Sequence, residues 1–214
     1  PIPKKALTFV ARPRPGPHTL DHQVPLSVFL RDMIGVVDTK KEAKYILHNK
    51  ECLVDGNLAH NERRPVGLMD VISLKKTNEH YRILINNKNK LYAVKIDAKE
   101  AEQKISKLRN KTSIKGGKTQ LNTLDGRTIL VDDATKYKVG DSLVIKLPTQ
   151  DIVDHLEMKP GALILLDAGR HVGSVGTVDA IEGTTIVVKT DTGVFKTKRK
   201  YAIVIGKDKP VITL

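Results

Sequence analysis

The segment of residues 24–74 constrains the fold most, because its apolar positions follow helical periodicity twice before a strand pattern begins. The first apolar set recurs at offsets of three, four and seven residues, which places one face of a short helix in a core. This set comprises Leu26, Phe29, Leu30 and Met33. A second helix is predicted after Thr39, since Thr39 and Glu42 have the spacing of a capping box. A tight turn at Asp55-Gly56 then predicts a hairpin, because both residue types tolerate a positive φ.

The cationic side chains of this segment lie outside the predicted apolar stripes and are candidates for contact with an anionic partner. They are Lys40, Lys41, Lys44, Arg63 and Arg64. Residues 21–80 carry nine basic and nine acidic side chains, so the segment is neutral overall. Any binding by it must therefore depend on separating the two signs of charge onto different faces.

The whole chain of 214 residues carries a formal net charge of +13. Such an excess indicates a polyanionic partner, because neutralising phosphates releases their counterions. Five Tyr, three Phe and no Trp argue against stacking on single-stranded bases as the main mode of binding. No apolar run approaches the roughly 20 residues that span a bilayer, and Cys52 is the single cysteine, which agrees with a reducing compartment. We therefore expect a cytoplasmic protein with no membrane partner.

The positive charge is densest in residues 81–118, where eleven basic side chains meet three acidic ones. A hairpin is predicted across Asn87-Lys88-Asn89. A helix over 98–108 is predicted next, since Asp97 and Glu100 repeat the capping spacing, and it would expose its lysines. The candidate contacts on this helix and on the basic loop after it are Lys104, Lys107, Arg109, Lys115 and Lys118. We expect this segment to supply more of the affinity than the neutral segment before it.

Two further basic stretches lie near the ends of the chain. Residues 1–20 form an arm that its prolines hold extended, with Lys4, Lys5, Arg12 and Arg14 as candidate contacts. A disordered terminus is the other interpretation of this arm. The second stretch comprises Lys196, Lys198, Arg199 and Lys200. These cations either bind the anionic partner or protect an edge strand against aggregation.

Short Val- and Ile-rich runs separated by glycines follow Pro160-Gly161 and predict a small antiparallel barrel. Residues 169–176 would make a tight loop in which glycine lets the backbone approach a phosphate or another chain. Arg170 and His171 would lie at the tip of this loop. The alternative interpretation is that the glycines only turn the strands.

Two of these segments resemble known modules. Residues 21–74 resemble the alpha-L RNA-binding domain, and the matching stretches are 39–43, 54–56 and 69–72. The end of the chain resembles a KOW motif in an SH3-like barrel, on the apolar run 163–166 and on Gly161, Gly169, Gly173, Gly176 and Val178. In this order and at this length, the chain resembles the small-subunit ribosomal protein of the S-four-e family, of archaeal type.

The resemblance implies an α+β, mostly β fold of several domains. These are an extended basic arm over 1–20, an alpha-L domain over 21–74, a strand-rich central domain over 75–155 and a KOW barrel over 156–214. It also implies a structural constituent of the small ribosomal subunit that is ribosome-bound, is not an enzyme, and binds folded ribosomal RNA mainly through its phosphate backbone. The expected partners are this RNA and neighbouring ribosomal proteins, with no cofactor, metal or small-molecule substrate.

Other functions are compatible with the same surfaces. A free-standing RNA-binding translation factor or an RNA chaperone would use the same cations. An RNA-modifying enzyme is a weaker alternative, because the two later domains occupy the remaining length and no nucleophile or His is paired with the carboxylates predicted in turns, Asp132, Asp133 and Asp141. A phosphate-binding loop at Gly117-Lys118-Thr119 is excluded, since Thr112 stands where that motif requires glycine.

Overall fold

The computed structural model describes residues 10–191 and 193–214, so the predicted contacts Lys4 and Lys5 lie outside the described residues. The chain divides into two compact units. The first comprises the described part of Pro1–Ile85 with Lys90–Lys104 and Leu147–Thr149, and the second comprises Asn86–Asn89, Ile105–Lys146 and the described part of Gln150–Leu214. The division into an arm and three domains stays a prediction.

Helices of the first unit are short, and both helices predicted in residues 24–74 are present. They are a 3₁₀ turn Leu20–His22, α1 Leu26–Val28 continuing into a π turn Phe29–Met33, α2 Lys40–His48 and α3 Ala98–Ala101. The Thr39 hydroxyl accepts a hydrogen bond from the backbone N–H of Glu42 at 3.2 Å, and the Glu42 carboxylate accepts from the Asp38 N–H at 2.9 Å. Buried Ala43 and Leu47 then fasten α2 to the core, which confirms the predicted cap and stripe.

Strands of the first unit form a two-stranded and a five-stranded antiparallel sheet. They are β1 Gln23–Pro25, β2 Cys52–Val54, β3 Asn57–Leu58, β4 Pro65–Gly67, β5 Val71–Leu74, β6 Glu79–Ile85 and β7 Leu91–Ile96. β1 pairs with β4, and the larger sheet has the order β3-β2-β5-β6-β7. Asp55 and Gly56 have φ values of 51° and 75° in the turn between β2 and β3. The two hairpins predicted from turn residues are therefore confirmed.

The helix predicted over 98–108 is wrong beyond its first turn. The chain leaves α3 at Ala101 and enters a long strand, β8 Gln103–Ser113. β8 is the central strand of a five-stranded sheet, and the run from Lys104 to Leu108 is buried without alternation. A strand covered on both faces carries no alternating pattern in its sequence, so the capping signal at Asp97 was the stronger local cue.

The sheet around β8 has the order β10-β9-β8-β11-β12. Its other members are β9 Thr119–Thr123, β10 Thr128–Val131, β11 Ser142–Lys146 and β12 Ile152–Leu156. Leu108, Leu121, Tyr137, Leu143 and Ile145 form its core. Asp141, predicted as a solvated turn residue without a His partner, is buried and accepts hydrogen bonds from the backbone N–H groups of Lys138 and Met158. Its Oδ2 atom also lies 2.8 Å from His155 Nε2, so the predicted absence of a His partner is wrong. The predicted turn between β9 and β10 and the strand at β11 are confirmed.

The last five strands form a third five-stranded antiparallel sheet, and the closed barrel that the evenly spaced apolar runs predict stays a prediction. They are β13 Leu163–Leu166, β14 Val175–Glu182, β15 Thr185–Thr190, β16 Gly193–Lys198 and β17 Ala202–Gly206, in the order β16-β15-β14-β13-β17. The expected fold class, α+β and mostly β with several sheets, is therefore confirmed. Within the described ranges, 10–191 and 193–214, no helix has the length and apolarity that crossing a bilayer requires.

Candidate nucleic-acid interface

The solvent face of α2 carries cations and an aromatic ring in a single stripe. The stripe consists of Lys41 and the residues three, four and seven positions after it, which are Lys44, Tyr45 and His48. These offsets place side chains on one side of a helix. Ala43 and Leu47 occupy the opposite, buried side. The amphipathic pattern that docks α2 against α1 and the π turn thus also gathers positive charge on its outer face.

The stripe lines an open groove, which we call the α2 groove. Its remaining walls are Leu47, His60 and Glu62, and its volume is about 490 Å³. The Oε1 atom of Glu62 lies 3.7 Å from the Nζ atoms of both Lys40 and Lys44. Burial opposes ionisation of Glu62, but a backbone hydrogen bond and the two ammonium groups outweigh it and keep its pKa below the ordinary value. One carboxylate therefore orders two lysines at the edge of the groove.

The basic arm is fastened to the chain directly beyond Glu62. Arg63 donates from Nε to the carbonyl oxygen of Arg12 at 3.0 Å, and the backbone N–H of Arg14 donates to the carbonyl oxygen of Arg63 at 2.9 Å. The side chains of Arg12, Arg14 and Arg63 are exposed. Arg64 is half-buried and donates to the carbonyl oxygen of Leu58 at 3.4 Å. The described cations of the arm, Arg12 and Arg14, are thus joined through residues 62–64 to the lysines of α2.

Lys104 lies in the core of the first unit, so the prediction that its side chain is exposed is wrong. Its Nζ atom lies 2.8 Å from Asp55 Oδ2 and 2.6 Å from Asp70 Oδ1. The other oxygen of Asp70 accepts from the backbone N–H of Gly67 and contacts His18 Nε2, both at 2.8 Å. Although burial opposes ionisation, Lys104 and His18 hold the pKa of Asp70 well below its usual range. The Lys104 ammonium is part of a buried charge network.

Lys107 is likewise buried, so the prediction that its side chain is exposed is also wrong. Its Nζ atom donates to the carbonyl oxygen of Lys200 at 2.6 Å. Desolvation lowers the pKa of Lys107 to about 8, against the attraction of Asp167. Desolvation also raises the pKa of Asp167 to about 6, against the attraction of Lys107. Lys107 therefore binds the backbone of the 3₁₀ turn Arg199–Tyr201 inside the second unit.

The remaining predicted cations of the central segment are exposed at the β8–β9 hairpin. Arg109 lies on β8, and Lys115 and Lys118 lie in the turn that follows. Lys118 Nζ lies 3.5 Å from an oxygen of Asp132, and both side chains are more than half exposed. Such an exposed pair is weak, so these three charges stay accessible to a polyanion.

The loop between β13 and β14 carries Arg170 at an exposed position, as predicted. The ring of His171 stacks on Phe195 with ring centroids 3.7 Å apart and an interplanar angle of 12°. A Cβ at Gly173 would lie 2.4 Å from the carbonyl carbon of Asn86, so this position requires glycine. The close backbone approach expected for the loop is thus present at Gly173, and its neighbour is the chain itself.

The basic strip near the end of the chain is only partly available. Lys196 lies on β16 and pairs with Glu182 at 2.8 Å, with both side chains exposed. Arg199 is half-buried and donates from Nη2 to the carbonyl oxygen of Val139 at 2.9 Å. Lys198 and Lys200 are exposed. The strip combines accessible charges with an arginine that supports the fold.

Besides Leu47 and Glu62, three ring-bearing residues of the α2 groove were not among the predicted contacts: Tyr45, His48 and His60. The spacing of Lys41, Lys44, Tyr45 and His48 was visible in the sequence, and a test for a second, polar stripe on α2 would have found it. His60 has no such signal, because β3 and the chain after it bring it to the helix.

Clustered cations on the surface of a strand-rich scaffold are typical of proteins that bind polyanions, and this chain falls into that class. Residues 77–152 match the ribosomal family S4e. The small ribosomal subunit protein eS4 of Methanosphaera stadtmanae is 43% identical over 220 residues, covering 100% of this chain and 90% of that protein. Its counterpart in Methanothermobacter thermautotrophicus is 39% identical over 221 residues, with the same coverage.

A solved structure gives the same result at the level of the fold. The crystal structure of the 30S ribosomal protein S4e from Thermoplasma acidophilum resembles this chain with a TM-score of 0.75 and 34% identity. The similarity covers 87% of this chain and 96% of that one. The chain belongs to the ribosomal family S4e.

Proposed function

We propose that this protein is a structural constituent of the small ribosomal subunit that binds folded ribosomal RNA through its phosphate backbone. The observation that carries the proposal is the likeness over the whole chain to small ribosomal subunit protein eS4. The net charge of +13 agrees with a partner that is itself a polyanion. The protein resides on ribosomes and contacts neighbouring ribosomal proteins as well as RNA.

The first unit binds with the surface that joins the arm to the α2 groove. The cations of α2 stand on the outer face of the helix, beside those of the arm, so they can approach several phosphates together. The second unit binds with the β8–β9 hairpin, the Arg170 loop and the exposed lysines of the terminal strip. The proposed phosphate contacts are Arg12, Arg14, Lys40, Lys41, Lys44, Arg63, Arg109, Lys115, Lys118, Arg170, Lys196, Lys198 and Lys200. Lys104 supports the first unit from its interior, and Lys107 supports the second unit in the same way.

Sedimentation of a lysate on sucrose gradients tests the proposal. At moderate salt, the protein is expected in the fractions of the small ribosomal subunit. It should persist there at a salt concentration that strips weakly bound factors, because contacts from two units act together. Recovery at the top of the gradient, with free proteins, would instead identify a translation factor or chaperone. A changed nucleoside mass after incubation with RNA would identify a modifying enzyme.

A further inference from the structure

Tyr45 is exposed to solvent on the outer face of α2. Its side chain is 66% exposed, the highest value among the large apolar and aromatic side chains of the described residues. The ring is not required by the core, because Ala43 and Leu47 already dock the opposite face of α2. An exposed aromatic ring on a rigid helix is a preformed platform for a flat ligand.

The ring stands between two depressions with apolar walls. One is the α2 groove, and the other is a smaller depression of about 150 Å³ lined by Val36, Ile46 and Leu74, among others. Lys41, Lys44 and His48 line the α2 groove together with the ring. The surroundings therefore combine an apolar platform with positive charge within the reach of one nucleotide.

We propose that Tyr45 stacks on an unpaired base of the ribosomal RNA, from a bulge or a loop, while Lys41 and Lys44 hold the flanking phosphates. This inference rests on the proposed function and names the kind of nucleotide that the α2 groove takes. A continuous A-form duplex keeps its base faces covered, so it offers a tyrosine ring nothing to stack on. A base that leaves the stack exposes a π-face whatever its identity, so a tyrosine ring can stack on it.

Charge complementarity favours RNA over a protein at this position. The lining of the α2 groove contains two lysines and two histidines against one carboxylate, Glu62. Glu62 is already shared by Lys40 and Lys44. The net charge that faces a ligand is therefore positive, as a pair of phosphates requires and as an ordinary protein surface does not. A contact with an acidic neighbouring protein is the alternative that the experiment must separate.

The test measures binding of the full chain to a small-subunit ribosomal RNA transcript from Methanosphaera stadtmanae as a function of salt. Tyr45→Leu is expected to weaken binding about 5- to 150-fold and to leave the slope of log K against log salt unchanged, since stacking releases no counterions. Tyr45→Phe should bind like the parent. Tyr92→Leu, which removes another exposed tyrosine of the first unit, should also bind like the parent. Lys41→Ala should lower the slope by about one.

Ultraviolet crosslinking identifies the nucleotide. The α2 peptide of the parent should crosslink to a nucleotide that is unpaired in the transcript, and Tyr45→Leu should lose this crosslink. An unchanged affinity for Tyr45→Leu, or a crosslink only to paired nucleotides, overturns the stacking and leaves the proposed function standing. Impaired incorporation into subunits with unchanged RNA affinity assigns the ring to a protein neighbour and also overturns it. Absence of salt-dependent binding by the parent chain overturns both proposals.

Discussion

Lys104 carries its charge inside the first unit, where two carboxylates compensate it. Asp55 comes from the turn between β2 and β3, and Asp70 immediately precedes β5, so one ammonium joins two chain segments that are distant in sequence. His18 extends the contact to the chain before β1. A buried ion pair adds little net stability, but breaking it leaves an uncompensated charge in a medium that solvates charge poorly.

Replacing Lys104 by Met is expected to lower the free energy of unfolding by about 3 to 5 kcal/mol, because two buried carboxylates lose their counter-ion. Urea denaturation at neutral pH measures the change. Lys99→Met is the matched control, since Lys99 is exposed, and it should change stability by less than about 0.5 kcal/mol. A Lys104→Met variant that is as stable as the parent but binds RNA more weakly would instead indicate that Lys104 contacts RNA.

At the scale of the element, α2 joins stability to the proposed recognition of RNA. Its cap and its buried stripe hold the helix against the core, and the same turn of the backbone presents Lys41, Lys44 and Tyr45 outward. Loss of the cap should therefore act on both properties. The strand β8 has a comparable double role, since Lys107 on its inner part supports the 3₁₀ turn while Arg109 farther along is exposed.

Thr39→Ala is expected to lower the free energy of unfolding by about 1 kcal/mol, because the N–H of Glu42 loses its side-chain acceptor. The same variant should weaken binding to ribosomal RNA modestly, through fraying of the helix that carries the lysines. Thr39→Ser keeps a hydroxyl at this position and serves as the control. Chemical denaturation and filter binding measure the two effects. Equal stability of the Ala and Ser variants would contradict the role of the cap.

Asp167 gives the second unit a specific dependence on pH. Its pKa of about 6 in the folded protein lies above the ordinary value of 3.8, so the folded state holds this proton more tightly. The contribution of Asp167 to stability is therefore greatest below pH 4 and declines as the pH rises to about 6. Asp167→Asn should gain stability relative to the parent over this interval, by up to about 3 kcal/mol. A constant difference between the two proteins from pH 4 to pH 7 would contradict this.

Over the whole molecule, the proposed phosphate contacts are spread over two units rather than gathered in one site. Contacts with about 6 to 10 phosphates predict a loss of affinity of about 10³- to 10⁵-fold when salt rises from about 50 to 200 mM. Filter binding of the full chain to the ribosomal RNA transcript measures this slope. A slope near zero would reject phosphate contact as the main source of affinity.

The two exposed lysine-rich sets can be compared directly, three substitutions against three. The burial of Lys104 and Lys107 removes two charges from the central segment, which was expected to dominate. We now expect alanine at Lys40, Lys41 and Lys44 to cost at least as much affinity as alanine at Arg109, Lys115 and Lys118. Each lost phosphate contact should lower the salt slope by about one. A clearly larger loss from the second set would place the main contact at the β8–β9 hairpin.

Local chemistry was sufficient wherever neighbouring residues decide the conformation. The cap at Thr39, the turn at Asp55-Gly56 and the hairpin around Asn87-Lys88-Asn89 were all predicted, because each depends on hydrogen bonds and φ angles within a few residues. The exposure of Lys40, Lys41 and Lys44 followed from the helical period. The resemblance of the modules in their order predicted the family to which the chain belongs.

Only the tertiary structure shows the features that depend on contacts between residues far apart in the sequence. The sequence contains no local sign that Lys104 meets Asp55 and Asp70, or that β8 becomes the central strand of a sheet, since burial on both faces is set by strands that lie far away along the chain. The α2 groove likewise needs His60 and Glu62 beside the helix. The sequence by itself determined helix α2, the tight turns, the total charge and the family, because these depend on composition and short spacing. Only folding decided that Lys104 and Lys107 are withdrawn from solvent, because solvation of a side chain depends on everything packed around it.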